Sequence, residues 1–224
     1  MARLRLGVLI SGRGSNLQAL IDACADPSYP AEVALVVSDR SEAPGLARAG
    51  TAGISNTAIP QRERPAFAAE AAAQLRAERV GLVCLAGFMR LLDAEFVDAW
   101  RDRMINIHPS LLPAFPGIRA QQQALAAGVR FTGCTVHFVR PETDRGPIIG
   151  QAVVPTRPDD DEARLSARIL RTEHRLYPLA VRLIAEGRVR VVGEKVEIRG
   201  WQVPDIAALN PCAMPLEPLV SAPG

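Results

Sequence analysis

The sequence is short of the residues that build metal sites and disulfide frameworks. Its four cysteines, Cys24, Cys84, Cys134 and Cys212, are scattered through 224 residues with no C-x-x-C spacing. That excludes a closed zinc site and a cross-linked scaffold. Cys84 lies in the apolar run Leu82-Val83-Cys84-Leu85-Ala86, where a thiol packs as a small hydrophobe. The three histidines, His108, His137 and His174, are far apart in the chain, which disfavours metal chemistry. Aromatic residues make up 4%, too few for the stacking platforms that bind single-stranded nucleic acid. Charge of one sign is also missing. A formal net charge of +2 gives no field for nucleic acid or an anionic membrane. No apolar segment approaches the roughly 18 residues of a membrane helix. The start, Met1 to Arg5, leads into a strand-like run and does not read as a signal sequence. Together these absences predict a reduced, cytoplasmic, soluble protein with no metal, nucleic-acid or membrane partner.

What is present is a globular composition, with 48% hydrophobic residues. In the first half, apolar β-like runs alternate with helical stretches. Strands are expected at Leu6 to Ile10, Val33 to Val37, Ile54 to Ile59, Leu82 to Ala86 and Met104 to Ile107. Helices are expected at Ser15 to Ala25, Ala43 to Ala49 and Arg64 to Arg79. Continuous apolar strands separated by helices predict an α/β fold, a mostly parallel twisted sheet with helices on both faces. The second half differs. Thr132 to Val139 and Ile148 to Val154, joined by a loop rich in Pro, Asp and Gly, predict antiparallel strands. A long helix follows from about Asp160 to Glu186, then a hairpin over Arg188 to Ile198 with its turn near Gly193-Glu194. One domain over 1–200 is expected, with an irregular tail over 201–224.

Four constellations carry chemistry. In Met104-Ile105-Asn106-Ile107-His108-Pro109 the side chains of Met104, Asn106 and His108 share one strand face, and Pro109 ends the ladder. His108 therefore stands at the carboxyl end of a strand, where ligands bind in open α/β sheets. In Ser11-Gly12-Arg13-Gly14-Ser15-Asn16-Leu17 a strand passes through a small-residue loop into a helix, an arrangement suited to a phosphate monoester. The alternative is a tight turn with Ser15 or Asn16 capping the helix. Leu17 stands where a dinucleotide fingerprint has its third glycine, although Asp39 after the second strand keeps a nicotinamide reading open. Asp144, in Thr143-Asp144-Arg145-Gly146-Pro147, is an ordinary turn aspartate unless the fold brings it beside His108. Glu173 falls on the apolar stripe Leu165, Ile169, Glu173, Leu176, Ala180, Leu183. It needs either a core arginine or a polyol ligand as partner. No serine or cysteine stands beside a base as an activated nucleophile, and Ser110 reads as a turn residue. An Asn–His–Asp set without an internal nucleophile suits direct attack by a substrate on an acyl-like carbonyl, or its hydrolysis.

These stretches closely resemble the phosphoribosylglycinamide formyltransferase family. The matches are Ser11 to Asp22, Leu85 to Leu92, Asn106 to Pro113, His137 to Val139 with Gly146 to Gln151, and Glu173-His174 with Tyr177-Pro178. The resemblance implies a Rossmann-like fold and transfer of a formyl group from 10-formyltetrahydrofolate, as co-substrate, to the amine of phosphoribosylglycinamide. It implies Asn106, His108 and Asp144 as the catalytic trio, with His108 kept cationic by Asp144. Gly14, Ser15 and Asn16 would receive the substrate phosphate and Glu173 its ribose. Arg64, Met89, Arg90, Leu91, Leu92 and Asn106 would line the folate site. The sequence leaves the oligomeric state open, a homodimer included.

The chain departs from the family pattern at two places. Ile118-Arg119-Ala120-Gln121-Gln122-Gln123 replaces a histidine-containing stretch, and Arg145 replaces a commoner glycine beside Asp144. Formyltetrahydrofolate deformylase is the nearest rival and uses water as acceptor; the phosphate loop and Glu173 would then have no purpose. Deformylases also usually carry an additional N-terminal regulatory domain. A methionyl-tRNA formyltransferase would need a basic RNA-binding domain. A non-catalytic phosphate-binding module gives no reason for Asn106, His108 and Asp144.

Overall fold

Apolar runs bounded by small-residue loops fold as the inner strands of a seven-stranded sheet. The computed structural model describes residues 2–60, 63–200, 208 and 210. In chain order the elements are β1 (Leu4–Ile10), α1 (Ser15–Ala25), β2 (Ala31–Ser38), α2 (Pro44–Thr51), β3 (Ser55–Ala58), α3 (Arg64–Ala77), β4 (Leu82–Leu85), α4 (Ala94–Ala99) and β5 (Met104–His108). They continue with α5 (Ala120–Ala126), β6 (Phe131–Phe138), β7 (Ile148–Pro155), α6 (Glu162–Ala185), β8 (Val189–Val192) and β9 (Lys195–Ile198). The sheet order is β3-β2-β1-β4-β5-β6-β7, with β8 and β9 forming a separate pair. Strands β1 to β5 are parallel. β6 runs antiparallel to both β5 and β7. The mostly parallel, Rossmann-like sheet and its antiparallel C-terminal strands are as expected.

Side-chain alternation divides the core between the two faces. Leu6, Val8 and Ile10 of β1, Cys84 of β4, and Ile105 and Ile107 of β5 pack with Leu17 and Leu20 of α1 and with α6. Leu9, Val83 and Met104 face the other way, against Phe67 and Leu75 of α3 and Phe96 and Val97 of α4. Asn106 and His108 follow Met104 by steps of two, so the backbone places both on this second face at the strand's carboxyl end.

The chain runs outward from β1 through β2 to β3, then returns to β4 on the opposite side of β1. This is the topological switch beside which α/β sheets bind ligands. The loops after β1 and β4 meet there: Ser11 N–H donates to Gly87 O at 3.3 Å, and Met89 N–H donates to the Ser11 hydroxyl at 2.9 Å.

Some boundaries and two helices differ from expectation. The third strand is shorter than Ile54 to Ile59, because it forms the half-exposed sheet edge and buries little apolar surface. Helices α4 and α5 span 6 and 7 residues, too short for a 3.6-residue pattern to repeat clearly in the sequence. On α6 the buried stripe is Leu165, Ile169, Glu173, Tyr177, Ala180 and Val181. Tyr177 and Val181 take the places expected of Leu176 and Leu183, which are only half-buried, because the helix presents the aromatic ring to the core. The expected irregular tail over 201–224 lies outside the described residues except for Ala208 and Asn210. The Asn210 amide donates to the backbone oxygens of Arg130 and Thr156.

Candidate active site

The loop entering α1 uses backbone geometry, and no side chain caps the helix. Gly14 takes the N-cap position with φ 69, in the left-handed region open to glycine. A Cβ there would stand 2.8 Å from the Gly45 Cα, so close approach of two backbones also requires glycine. Neither Ser15 nor Asn16 caps the helix, so the capping alternative is not realised. Asn16 instead crosses to α6, where its Nδ2 donates to Glu173 Oε2 at 2.7 Å. Among the described residues no arginine is paired with Glu173, which is 6% exposed. Burial raises its pKa above the ordinary carboxylate value, and the Asn16 hydrogen bond offsets this in part. The Asn16 Oδ1 atom is buried without a partner among the described residues.

Two adjoining cavities open over this region. One, of ≈ 350 Å³, is lined by Ser11 to Asn16 with Arg40, Gly87 and Met89. The other, of ≈ 800 Å³, shares Arg13, Asn16, Gly87 and Met89 and continues past Gln121 to Ser166 and Glu173. Gln121 thus stands in the cavity wall, while Gln122 donates to Glu162 and Gln123 to the Pro116 and Ile118 carbonyls. Motif reading passed over two cations here: Arg13, within the small-residue loop itself, and Arg40, which follows β2 and reaches the loop because β1 and β2 pair in parallel with Ile10 opposite Ser38.

On the other side of β5, four polar side chains converge. Asn106 and His137 are direct partners in the antiparallel β5–β6 register, so they share a face. His137 Nδ1–H donates to the Phe138 carbonyl at 2.9 Å, which leaves Nε2 as an acceptor. Asn106 Nδ2–H donates to that Nε2 at 3.3 Å. Burial is the largest influence on His137 and lowers its pKa from 6.5, in keeping with a neutral ring that accepts. Asp144, at φ 57, brings Oδ2 to 3.4 Å from His108 Nδ1 and Oδ1 to 3.7 Å from His137 Nε2. Gly117 N–H donates to Asp144 Oδ2 at 2.7 Å and fixes the carboxylate. His108 Nε2–H donates to the Phe115 carbonyl at 3.0 Å, so Nδ1 is the ring atom turned toward Asp144. The Ser110 hydroxyl donates to the Ala114 carbonyl, a turn contact as expected.

Motif reading grouped Asn106, His108 and Asp144 but left out His137. The signal was available only through strand register, which places His137 opposite Asn106. A third cavity, of ≈ 130 Å³, is bounded by Asn106, His137 and Asp144 and by Leu85, Phe88, Arg90, Leu91, Leu92 and Val97. Arg90, Leu91 and Leu92 therefore line one cavity together. Met89 does not join them; it is 70% exposed and turned to the cavities beside Gly14. Arg64, at the exposed start of α3, lines none of the three cavities.

This arrangement offers an amide and an imidazole donor, a fixed carboxylate and two flanking recesses, a set suited to acyl transfer without an enzyme nucleophile. Residues 4–181 match the family model described as formyl transferase. The chain is 41% identical over 204 residues to phosphoribosylglycinamide formyltransferase of Escherichia coli (strain K12), covering 90% of this chain and 96% of that relative. It is 50% identical over 197 residues to the trifunctional purine biosynthetic protein adenosine-3 of Drosophila melanogaster, covering 86% of this chain but 15% of that much longer protein. Among solved structures, glycinamide ribonucleotide transformylase 1 from Symbiobacterium toebii superposes with a TM-score of 0.85 at 51% identity, covering 88% of this chain and 94% of that one. A formyltetrahydrofolate deformylase from Pseudomonas syringae pv. tomato str. DC3000 is more distant in sequence, with a TM-score of 0.81 at 27% identity over 88% of this chain and 66% of its own. The chain belongs to the formyl transferase family, on the branch whose bacterial members are named phosphoribosylglycinamide formyltransferase.

Proposed function

We propose that the chain transfers the formyl group of 10-formyltetrahydrofolate to the amine of phosphoribosylglycinamide, a step of purine biosynthesis. The observation that carries this reading is the meeting of Asn106, His108 and Asp144 between two recesses of different character. On one side lies a glycine loop with Arg13, Arg40 and Glu173, suited to a sugar phosphate. On the other lies an apolar cleft edged by Arg90, suited to a flat heterocycle. The phosphate would rest on the Gly14, Ser15 and Asn16 segment, and Glu173 would accept from the ribose hydroxyls. The folate would lie along Arg90, Leu91, Leu92 and Asn106, with Met89 bordering the amine side and Arg64 available at the outer rim.

The amine nitrogen attacks the formyl carbon, and the new N–C bond turns the carbonyl oxygen into an oxyanion. The second Asn106 Nδ2–H and the His108 Nδ1–H donate to that oxygen. Asn106 can do so because His137 accepts its other amide hydrogen and fixes the plane of the group. Asp144, directly or through a water, takes the proton lost by the amine. The C–N10 bond of the folate then breaks, and N10 takes up a proton. No covalent enzyme intermediate is required. The three described cysteines, Cys24, Cys84 and Cys134, are free thiols and take no part in the transfer; the proposed setting of the reaction is the cytoplasm.

Mixing the purified protein with 10-formyltetrahydrofolate, with and without the amine substrate, tests the reading. Tetrahydrofolate should form only when the amine is present; formation without it would identify a deformylase. Oxyanion donors contribute about 3 kcal/mol each, so His108→Ala should lower kcat by about 100- to 1000-fold with little change in KM. Asp144→Asn should lower kcat in the same way, and near-normal turnover in either variant would overturn the assignment.

A further inference from the structure

We propose that Arg140 is a positioning residue for Asp144, and that the β8–β9 hairpin acts as the outer anchor of the loop carrying that carboxylate. The proposal rests on the reading of Asp144 given above. Arg140 opens the segment that leads from β6 through Asp144 to Gly146, and it is only 6% exposed. A buried guanidinium with all its nitrogens committed fixes the backbone that carries it far more firmly than a surface arginine does. Arg140 Nε donates to Glu194 Oε2 at 2.9 Å, a second nitrogen to Asp102 Oδ1 at 2.8 Å, and the third to the Val139 carbonyl at 3.1 Å.

Glu194 lies in the turn between β8 and β9, and Asp102 lies just before β5. The guanidinium therefore ties three separated parts of the chain together at the mouth of the folate-side cavity, whose wall it forms with Pro141, Thr143 and Asp144. Arg101 also pairs with Glu194, at 2.9 Å, and holds the hairpin carboxylate from its other side.

The stem of Arg140 reaches the far end of the same loop. A Cβ on Gly146 would stand 3.3 Å from Arg140 Cγ and 1.7 Å from the Phe138 carbonyl oxygen, so the loop closes on itself at Gly146. Phe138 N–H donating to the Pro147 carbonyl at 2.9 Å completes that closure. Both ends of the loop are thus held, one of them through Arg140. The carboxylate at its tip must keep its place against His108 at 3.4 Å and Gly117 N at 2.7 Å. Small misplacements of a catalytic group are costly in rate.

Arg140→Ala should lower kcat for formyl transfer by about 10- to 100-fold and leave the KM for the amine within twofold or so. Glu194→Gln removes the charge and one of the two acceptor oxygens of the hairpin anchor without emptying a buried volume, so it serves where Arg140→Ala does not fold. It should give a smaller fall in the same direction, and Arg140→Lys should restore part of the rate. Amide hydrogen exchange over 141–146 should quicken about tenfold or more in these variants, with β5 and β6 unchanged. In an Asp144→Asn background, loss of Arg140 should cost almost nothing further, because the group it positions is gone. An equal fold-loss in both backgrounds, or unchanged exchange over 141–146, overturns the positioning role. Normal turnover of Asp144→Asn alone would overturn the functional reading instead.

Discussion

Glu173 sits on the buried stripe of α6 with a hydrogen bond from Asn16, and desolvation raises its pKa. The folded state then binds the proton more tightly than the unfolded chain, so ionisation above the ordinary value of 4.5 works against folding. Glu173→Gln should raise Tm at pH 8 relative to wild type, with the gap closing as pH falls toward 4.5. The same variant should raise the KM for the amine by about tenfold, since a hydrogen bond to a charged group contributes about 1.5–3 kcal/mol. An unchanged Tm at pH 8 would show that burial of this carboxylate carries no stability cost. His137 behaves oppositely. Its lowered pKa means the unfolded state takes up a proton that the folded state refuses, so its contribution is present above 6.5 and lost as pH falls through the folded value. Denaturant midpoints measured from pH 8 to 5 should fall more steeply in wild type than in His137→Gln. At this scale residue type and spacing marked Asn106, His108 and the buried position of Glu173, whereas Asp144 read as an ordinary turn aspartate and joined the set only through the family resemblance. The sequence left out His137 because a histidine within an apolar strand carries no local mark; only its partner across the sheet reveals it.

The elements that hold these residues owe their limits to local chemistry. α6 begins where the Asp161 side chain accepts from Arg164 N–H at 2.7 Å. Asp161→Ala should cost about 1 kcal/mol in urea denaturation, the usual loss at such a cap. A much larger loss would mean that Asp161 does more than cap. The acidic run Asp159 to Asp161, legible in the sequence as a helix start, divides its work in three. Asp159 pairs with Arg164, Asp160 with Arg168, and Asp161 caps. The start of β5 and both limits of α1 were readable because an apolar period or a small-residue loop marks each of them. α4 and α5 were not, since one turn or two repeat no pattern. The same holds for the loop from Arg140 to Gly146. Its residues read as a turn, but nothing local tells that Arg140 is buried between Asp102 and Glu194.

Across the whole molecule, the sheet continues from the parallel half through β5 into the antiparallel half without a break in hydrogen bonding. Residues 1–200, read as one domain, should therefore unfold in one calorimetric transition with equal van't Hoff and calorimetric enthalpies. Two transitions would mean that the C-terminal strands and α6 melt apart from the first half. Among the described residues no helix is long and apolar enough to cross a membrane. The sequence by itself determined the strand and helix alternation, the glycine loop at the switch point and the residue types of the site. Those properties depend on side-chain period and backbone freedom, which are local. Tertiary structure alone decided which side chains meet: His137 with Asn106, Asn16 with Glu173, Arg140 with the distant hairpin. Such pairings depend on strand register and loop closure over tens of residues, and neighbouring positions in the chain do not encode them.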